Sequence, residues 1–127
     1  MALELSYKPS YQRYQLVIPP RLWADFFAQL TDENQGRLMT LRQRHPQLGE
    51  VEILGHSPLV AAVYGHPNQG GDLVIMVSQP QDSGEITYTH RIALPQAVSI
   101  VTDDDGVVQA CRIAAADQAQ TILSFQA

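Results

Sequence analysis

Cysteine is nearly absent from this chain. Cys111 stands alone, so no internal disulfide can form, and its alternation with Gln109 and Ile113 marks it as a small core hydrophobe rather than a nucleophile. Long apolar runs are missing too: none approaches the roughly 18 residues of a membrane span, so no membrane partner is expected. The start Met1-Ala2-Leu3-Glu4-Leu5 has neither the basic n-region nor the long apolar h-region of a secretory signal, which makes the cytoplasm the expected compartment. Basic charge is in short supply, with 8 Lys and Arg against 13 Asp and Glu and a net charge of −5. Phosphate binding needs clustered Lys and Arg, so this balance argues against nucleic acid as a partner. The shortage is uneven: residues 1–44 carry six basic and four acidic side chains, and residues 45–127 carry two and nine. Such a split is ordinary for solvated surface, and it also suits head-to-tail contact between copies or a basic partner for the second half.

Catalytic signatures are equally scarce. Asp103-Asp104-Asp105-Gly106 lacks the alternating oxygen ligands and the acidic twelfth position of a calcium loop, so it reads as a hairpin turn. Gly70-Gly71-Asp72 lacks the lysine and helix of a phosphate loop, and no Gly-x-Ser-x-Gly elbow occurs. His45 is isolated, and His56 and His66 fall in loops at the two ends of one strand, roughly 20 Å apart. No catalytic residue, metal ligand or cofactor is therefore predicted.

What is present specifies an architecture. At 127 residues and 45% apolar content the chain can bury one core without staples. Residues 1–12, with Tyr7, Lys8, Pro9 and Tyr11, have no clear periodicity and read as an arm; residues 13–127 read as a single domain. Only Arg21–Leu30 has clean helical spacing: at about 100° per residue, Leu22, Phe26, Leu30, Trp23 and Phe27 form one apolar face. Pro19-Pro20 precede it and Gly36 is the natural stop. Strands are predicted at Tyr14–Ile18, Leu38–Leu41, a short one around Val51 and Ile53, Leu59–Tyr64, Leu73–Val77, Ile86–Leu94, Val98–Thr102, Val107–Ile113 and Thr121–Phe125. Gly55-His56-Ser57-Pro58 breaks the run between two of them, and Pro95 ends another. Leu73–Val77 is apolar on both faces, as a central strand covered by the helix on one side and a second layer or a partner on the other would be. The expected fold is α+β: a bent antiparallel sheet, sandwich-like or a partly closed barrel of seven to nine strands, with one amphipathic helix near the N-terminus.

One residue stands out chemically. Alternation in Ile86–Leu94 places His90 inward with Ile86, Tyr88 and Ile92. Its ring is either a core histidine satisfied by a backbone carbonyl or by the Tyr14 or Tyr88 hydroxyl, or part of a ligand pocket between helix and sheet near Tyr88, His90 and Arg91. Burial without a charge partner predicts a pKa below that of a free imidazole.

Ile18-Pro19 with Trp23, Phe26 and Phe27, Gly36 followed by Leu38–Leu41, Thr89-His90-Arg91-Ile92 with Pro95 and Val98, and the ending Thr121–Phe125 together resemble an uncharacterised family of small bacterial, including cyanobacterial, proteins, a domain of unknown function. The resemblance covers residues 13–125 and implies a bacterial protein of one domain, with no activity or site attached. The functional expectation is a non-catalytic protein-interaction or scaffold module that forms a symmetric homodimer. The alternative is a small-molecule binding protein or enzyme using the His90 pocket.

Overall fold

A computed structural model describes residues 14–65, 70–81 and 84–126. The arm at 1–12, His66 with most of its loop, and the tip of the 79–84 hairpin lie outside the described residues.

The elements in chain order are β1 (Tyr14–Ile18), a single 3-10 turn at Pro20–Leu22, α1 (Trp23–Asn34), β2 (Leu38–His45), β3 (Gly49–Tyr64), β4 (Leu73–Gln81), β5 (Gly84–Ile92), β6 (Pro95–Thr102), β7 (Val108–Ala115) and β8 (Gln120–Phe125). They form one antiparallel sheet in the order β1-β6-β7-β8-β2-β3-β4-β5, flanked by one helix. The fold is thus the expected α+β, with eight described strands and an unclosed sheet. Two meanders, β2 to β5 and β6 to β8, are joined where β8 pairs with β2, in the register Leu41↔Leu123 and Gln43↔Thr121.

The helix begins later and runs further than its spacing predicts. Prolines cannot donate the first N–H groups, so the chain enters through the tight turn at Pro20, and Leu22 sits outside α1 with 43% of its surface exposed. Trp23, Phe27 and Leu30 are buried, Phe26 partly so. Gly36, at φ 85°, takes the left-handed conformation that lets the chain leave the helix, and its N–H reaches the Leu59 carbonyl at 2.8 Å.

Gly55-His56-Ser57-Pro58 does not end a strand. β3 runs through it for 16 residues: Gly49–Pro58 pairs with β2, and Leu59–Tyr64 pairs with β4. The breakers sit where the register shifts and His56 takes φ 53°, so they bend the strand from one layer into the other instead of stopping it. Beyond the bend β3 has lost β2 as a neighbour, and α1 takes that place. Thr31 Oγ1 donates to the Ala62 carbonyl at 3.1 Å and accepts from its N–H at 2.9 Å, and Gln35 Nε2 donates to the Val60 carbonyl at 3.3 Å. The helix and the residue that caps it thereby give partners to a half-buried strand edge.

Pro95 opens β6 rather than closing the strand before it; β5 stops at Ile92, and Leu94 at φ 49° turns the chain. β4 is not central but next to the edge. Its Leu73, Ile75 and Val77 are buried, while Val74 and Met76 are half-buried on the other face.

Arg37 ties the ends together. Its guanidinium donates to the carbonyls of Gln126 at 2.8 Å and Val108 at 2.7 Å and to Asn34 Oδ1 at 3.0 Å, and it stacks over the Phe125 ring. Desolvation lowers its pKa, partly offset by Asp103. Much of the remaining positive charge is used locally: Arg42 and Arg44 face Glu50 and Glu52 across the β2–β3 hairpin.

Candidate functional site

Alternation sets which side chains enter the folded sheet. On β5, Tyr88 and His90 are half-buried and Ile92 is buried, while Glu85, Thr87, Thr89 and Arg91 are exposed. On β2 the inward series is Met39, Leu41, Gln43, and on β8 it is Phe125, Leu123, Thr121. The two meanders fold over one another, so β5 crosses above β8 although β2, β3 and β4 separate them in strand order. Thr121 Oγ1 lies 3.5 Å from His90 Nε2 as a result.

The hydroxyl beside His90 is therefore that of Thr121, not of Tyr14 or Tyr88. Tyr88 packs against the core. The Tyr14 phenol is held above its ordinary pKa by a hydrogen bond to Asp104. Burial lowers the His90 pKa, which keeps the ring neutral near pH 7.

A cavity of about 330 Å³ opens beside His90. Gln43, His90 and Thr121 supply polar groups, Ile92, Ala115 and Ala119 an apolar lining, and Arg91 and Asp117 part of the margin. Of the three residues singled out on β5, His90 and Arg91 line it and Tyr88 does not. No α1 residue contributes, so this cavity lies within the sheet rather than between helix and sheet. The Arg91 guanidinium pairs with Asp72 at 3.4 Å. Asp117 Oδ1 accepts the Ala119 N–H at 3.0 Å, fixing the β7–β8 turn. Gln43 and Thr121 were not singled out by sequence reasoning; their signal is a polar residue at the next inward position after Leu41 and Leu123.

A second concavity, about 260 Å³, does lie between helix and sheet. Leu16 and Ile18 of β1, Ile100 of β6, Val108 of β7 and Phe26 and Leu30 of α1 line it, with Gln29 and Glu33 also at its wall. It is a solvent-open extension of the core. Among the described residues, no group of three or more His, Cys, Asp or Glu is placed to hold a metal ion. No described helix is long and apolar enough to cross a membrane.

No curated protein and no solved structure matches the chain. A family of unknown function, DUF5335, matches residues 14–127, nearly the same span over which Ile18-Pro19, the Trp23–Phe27 aromatics, Thr89–Ile92 and Thr121–Phe125 suggest an uncharacterised family, and the chain belongs to it.

Proposed function

We propose that this protein is a protein-interaction module that works through the edge of β1, and that a second copy of the chain is its partner there. The observation that carries this reading is the character of that strand, which ends the sheet among the described residues. Tyr14-Gln15-Leu16-Val17-Ile18 contains no charge and no proline, and Leu16 and Val17 are 49% and 74% exposed. Its counterpart at the other end of the sheet, β5, carries Glu85 and Arg91 on its exposed positions. Charges on an edge strand discourage pairing with another chain, and an apolar edge without them is a template for it. The groove beside β1 supports the same reading, because Leu16 is common to both and an added strand presents side chains to each face of the sheet. Antiparallel pairing of β1 with its own copy about a twofold axis brings identical patches together and closes the assembly at two.

Sedimentation equilibrium tests it, with a species of twice 14.1 kDa expected at micromolar concentration. Val17→Lys, at an exposed position that folding does not need, should return the protein to monomer with its melt unchanged. A wild-type monomer throughout, or a Val17→Lys variant that still dimerises, overturns the proposal. Removing residues 1–12 separates the second copy from the chain's own arm as occupant. Association that survives the truncation supports the proposal; association that appears only after it assigns the edge to the arm.

A further inference from the structure

We propose that the cavity beside His90 is a binding site for a small uncharged molecule that joins an apolar body to a hydrogen-bonding group, separate from the β1 surface and sharing no residue with it.

The argument starts from the inward faces of three strands. Leu41 and Leu123 are cross-strand partners and fully buried, and one step further along, the partners on the same face are Gln43 and Thr121. On β5, His90 is the polar residue between Tyr88, which packs on the core, and buried Ile92. Three strands thus present a polar side chain at one level of the interior, and that level borders a cavity. Pattern breaks of this kind cost stability unless the groups are used, and they mark sites more often than accidents. If the three served only to satisfy one another, the contacts would be short. The His90–Thr121 contact, at 3.5 Å, is at the limit of a hydrogen bond and leaves donor and acceptor capacity on both groups.

The chemistry of the lining selects the ligand class. A neutral imidazole, a hydroxyl and a primary amide each donate and accept, so they match an amide, alcohol or heteroaromatic nitrogen equally well. The charges at the margin face solvent: Arg91 is paired with Asp72, and the exposed Asp117 carboxylate keeps its charge while accepting the Ala119 N–H. A charged group seated against the neutral His90, Thr121 and Gln43 side chains would leave water for groups that carry no counter-charge, which is unfavourable. Ile92, Ala115 and Ala119 offer an apolar wall of small residues against which a ring can lie. At about 330 Å³ the space is at the lower end of the roughly 300 to 1,000 Å³ of small-molecule sites.

The test is an NMR titration of the full chain, following the His90 ring resonances against benzamide, phenol and cyclohexanol as uncharged probes and benzoate and benzylammonium as charged ones. Expected is a saturable shift at His90 with at least one uncharged probe in the millimolar range, and about tenfold weaker binding of both charged probes. Thr121→Val and Gln43→Met should each weaken the uncharged probe by about fivefold or more. Gln43 is only half-buried near the mouth, so its variant serves if Thr121→Val does not fold. The proposal fails if no uncharged probe gives a saturable His90 shift, if the charged probes bind as tightly, or if a folded Gln43→Met variant binds unchanged.

Discussion

Trp23 is the anchor by which the helix holds β1 and the far part of β3, and shortening it should show as much. The ring is 3% exposed, its Nε1–H donates to the Ile18 carbonyl at 2.8 Å, and its edge meets Tyr64 with centroids 5.3 Å apart. Trp23→Ala removes the packed ring and both contacts, and large-to-small truncation of a buried aromatic costs about 3 to 5 kcal/mol. In a chain of this size that lowers the melting temperature by roughly 10 to 20 °C. Trp23→Phe divides the effect. Phenylalanine keeps an aromatic edge toward Tyr64 but leaves the Ile18 carbonyl without its donor, at a cost of about 1 to 3 kcal/mol. Urea unfolding followed by circular dichroism measures both, since Trp23 is the sole tryptophan and fluorescence would vanish with it. Hydrogen exchange adds a local reading: β1, whose last carbonyl Trp23 holds, should lose protection in Trp23→Phe more than β4 does. A cost below about 1 kcal/mol for Trp23→Ala would refute the buried position, because no fully packed indole is that cheap to remove.

Other outcomes follow from the same geometry. His90 is neutral in the folded state and has its ordinary affinity for a proton when unfolded, so the unfolded chain binds more protons as pH falls below about 6.5. Stability should therefore drop between neutral pH and the depressed folded pKa, the His90 ring should titrate below an ordinary imidazole by NMR, and a His90 pKa at or above about 6.5 would contradict its burial. Thr31→Val strips the partner from the Ala62 N–H and should cost about 1 to 3 kcal/mol in urea unfolding; a loss under about 0.3 kcal/mol would mean that this strand edge is solvated. Cys111 is fully buried with its thiol pushed up to about 12, so it should resist a thiol reagent at pH 8 until the chain unfolds, and rapid native labelling would place it at the surface.

The sequence made local periodicity visible and kept long-range placement hidden. The aromatic face of α1 and the alternation through His90 are set by neighbours a few residues apart, so Trp23, Phe27, Leu30 and the inward turn of His90 could be read directly. The breakers in Gly55–Pro58 misled because glycine and proline have the same signature whether a strand stops or bends, and only the pairing of its two halves with different neighbours tells these apart. The cavity was mislocated for a similar reason. Nothing near His90 in the chain announces Thr121, and Tyr14 and Tyr88, whose hydroxyls the sequence offers to it, are engaged elsewhere. Gln43 lay past the predicted end of its strand, so its inward direction had no alternation to reveal it.

Arg37 also bears on how the molecule assembles in time. Its guanidinium spans 71 positions to Val108 and 89 to Gln126, and the strand that follows it, β2, is bounded on one side by β8. During synthesis α1, β2, β3, β4 and β5 can assemble from local contacts, but Arg37 must wait for β7 and β8 before it finds its carbonyl acceptors. Contacts that close so late raise the entropic barrier and place this domain among slow folders. Until β8 arrives, the open side of β2 is a bare strand edge, which exposes the nascent chain to mispairing over that interval.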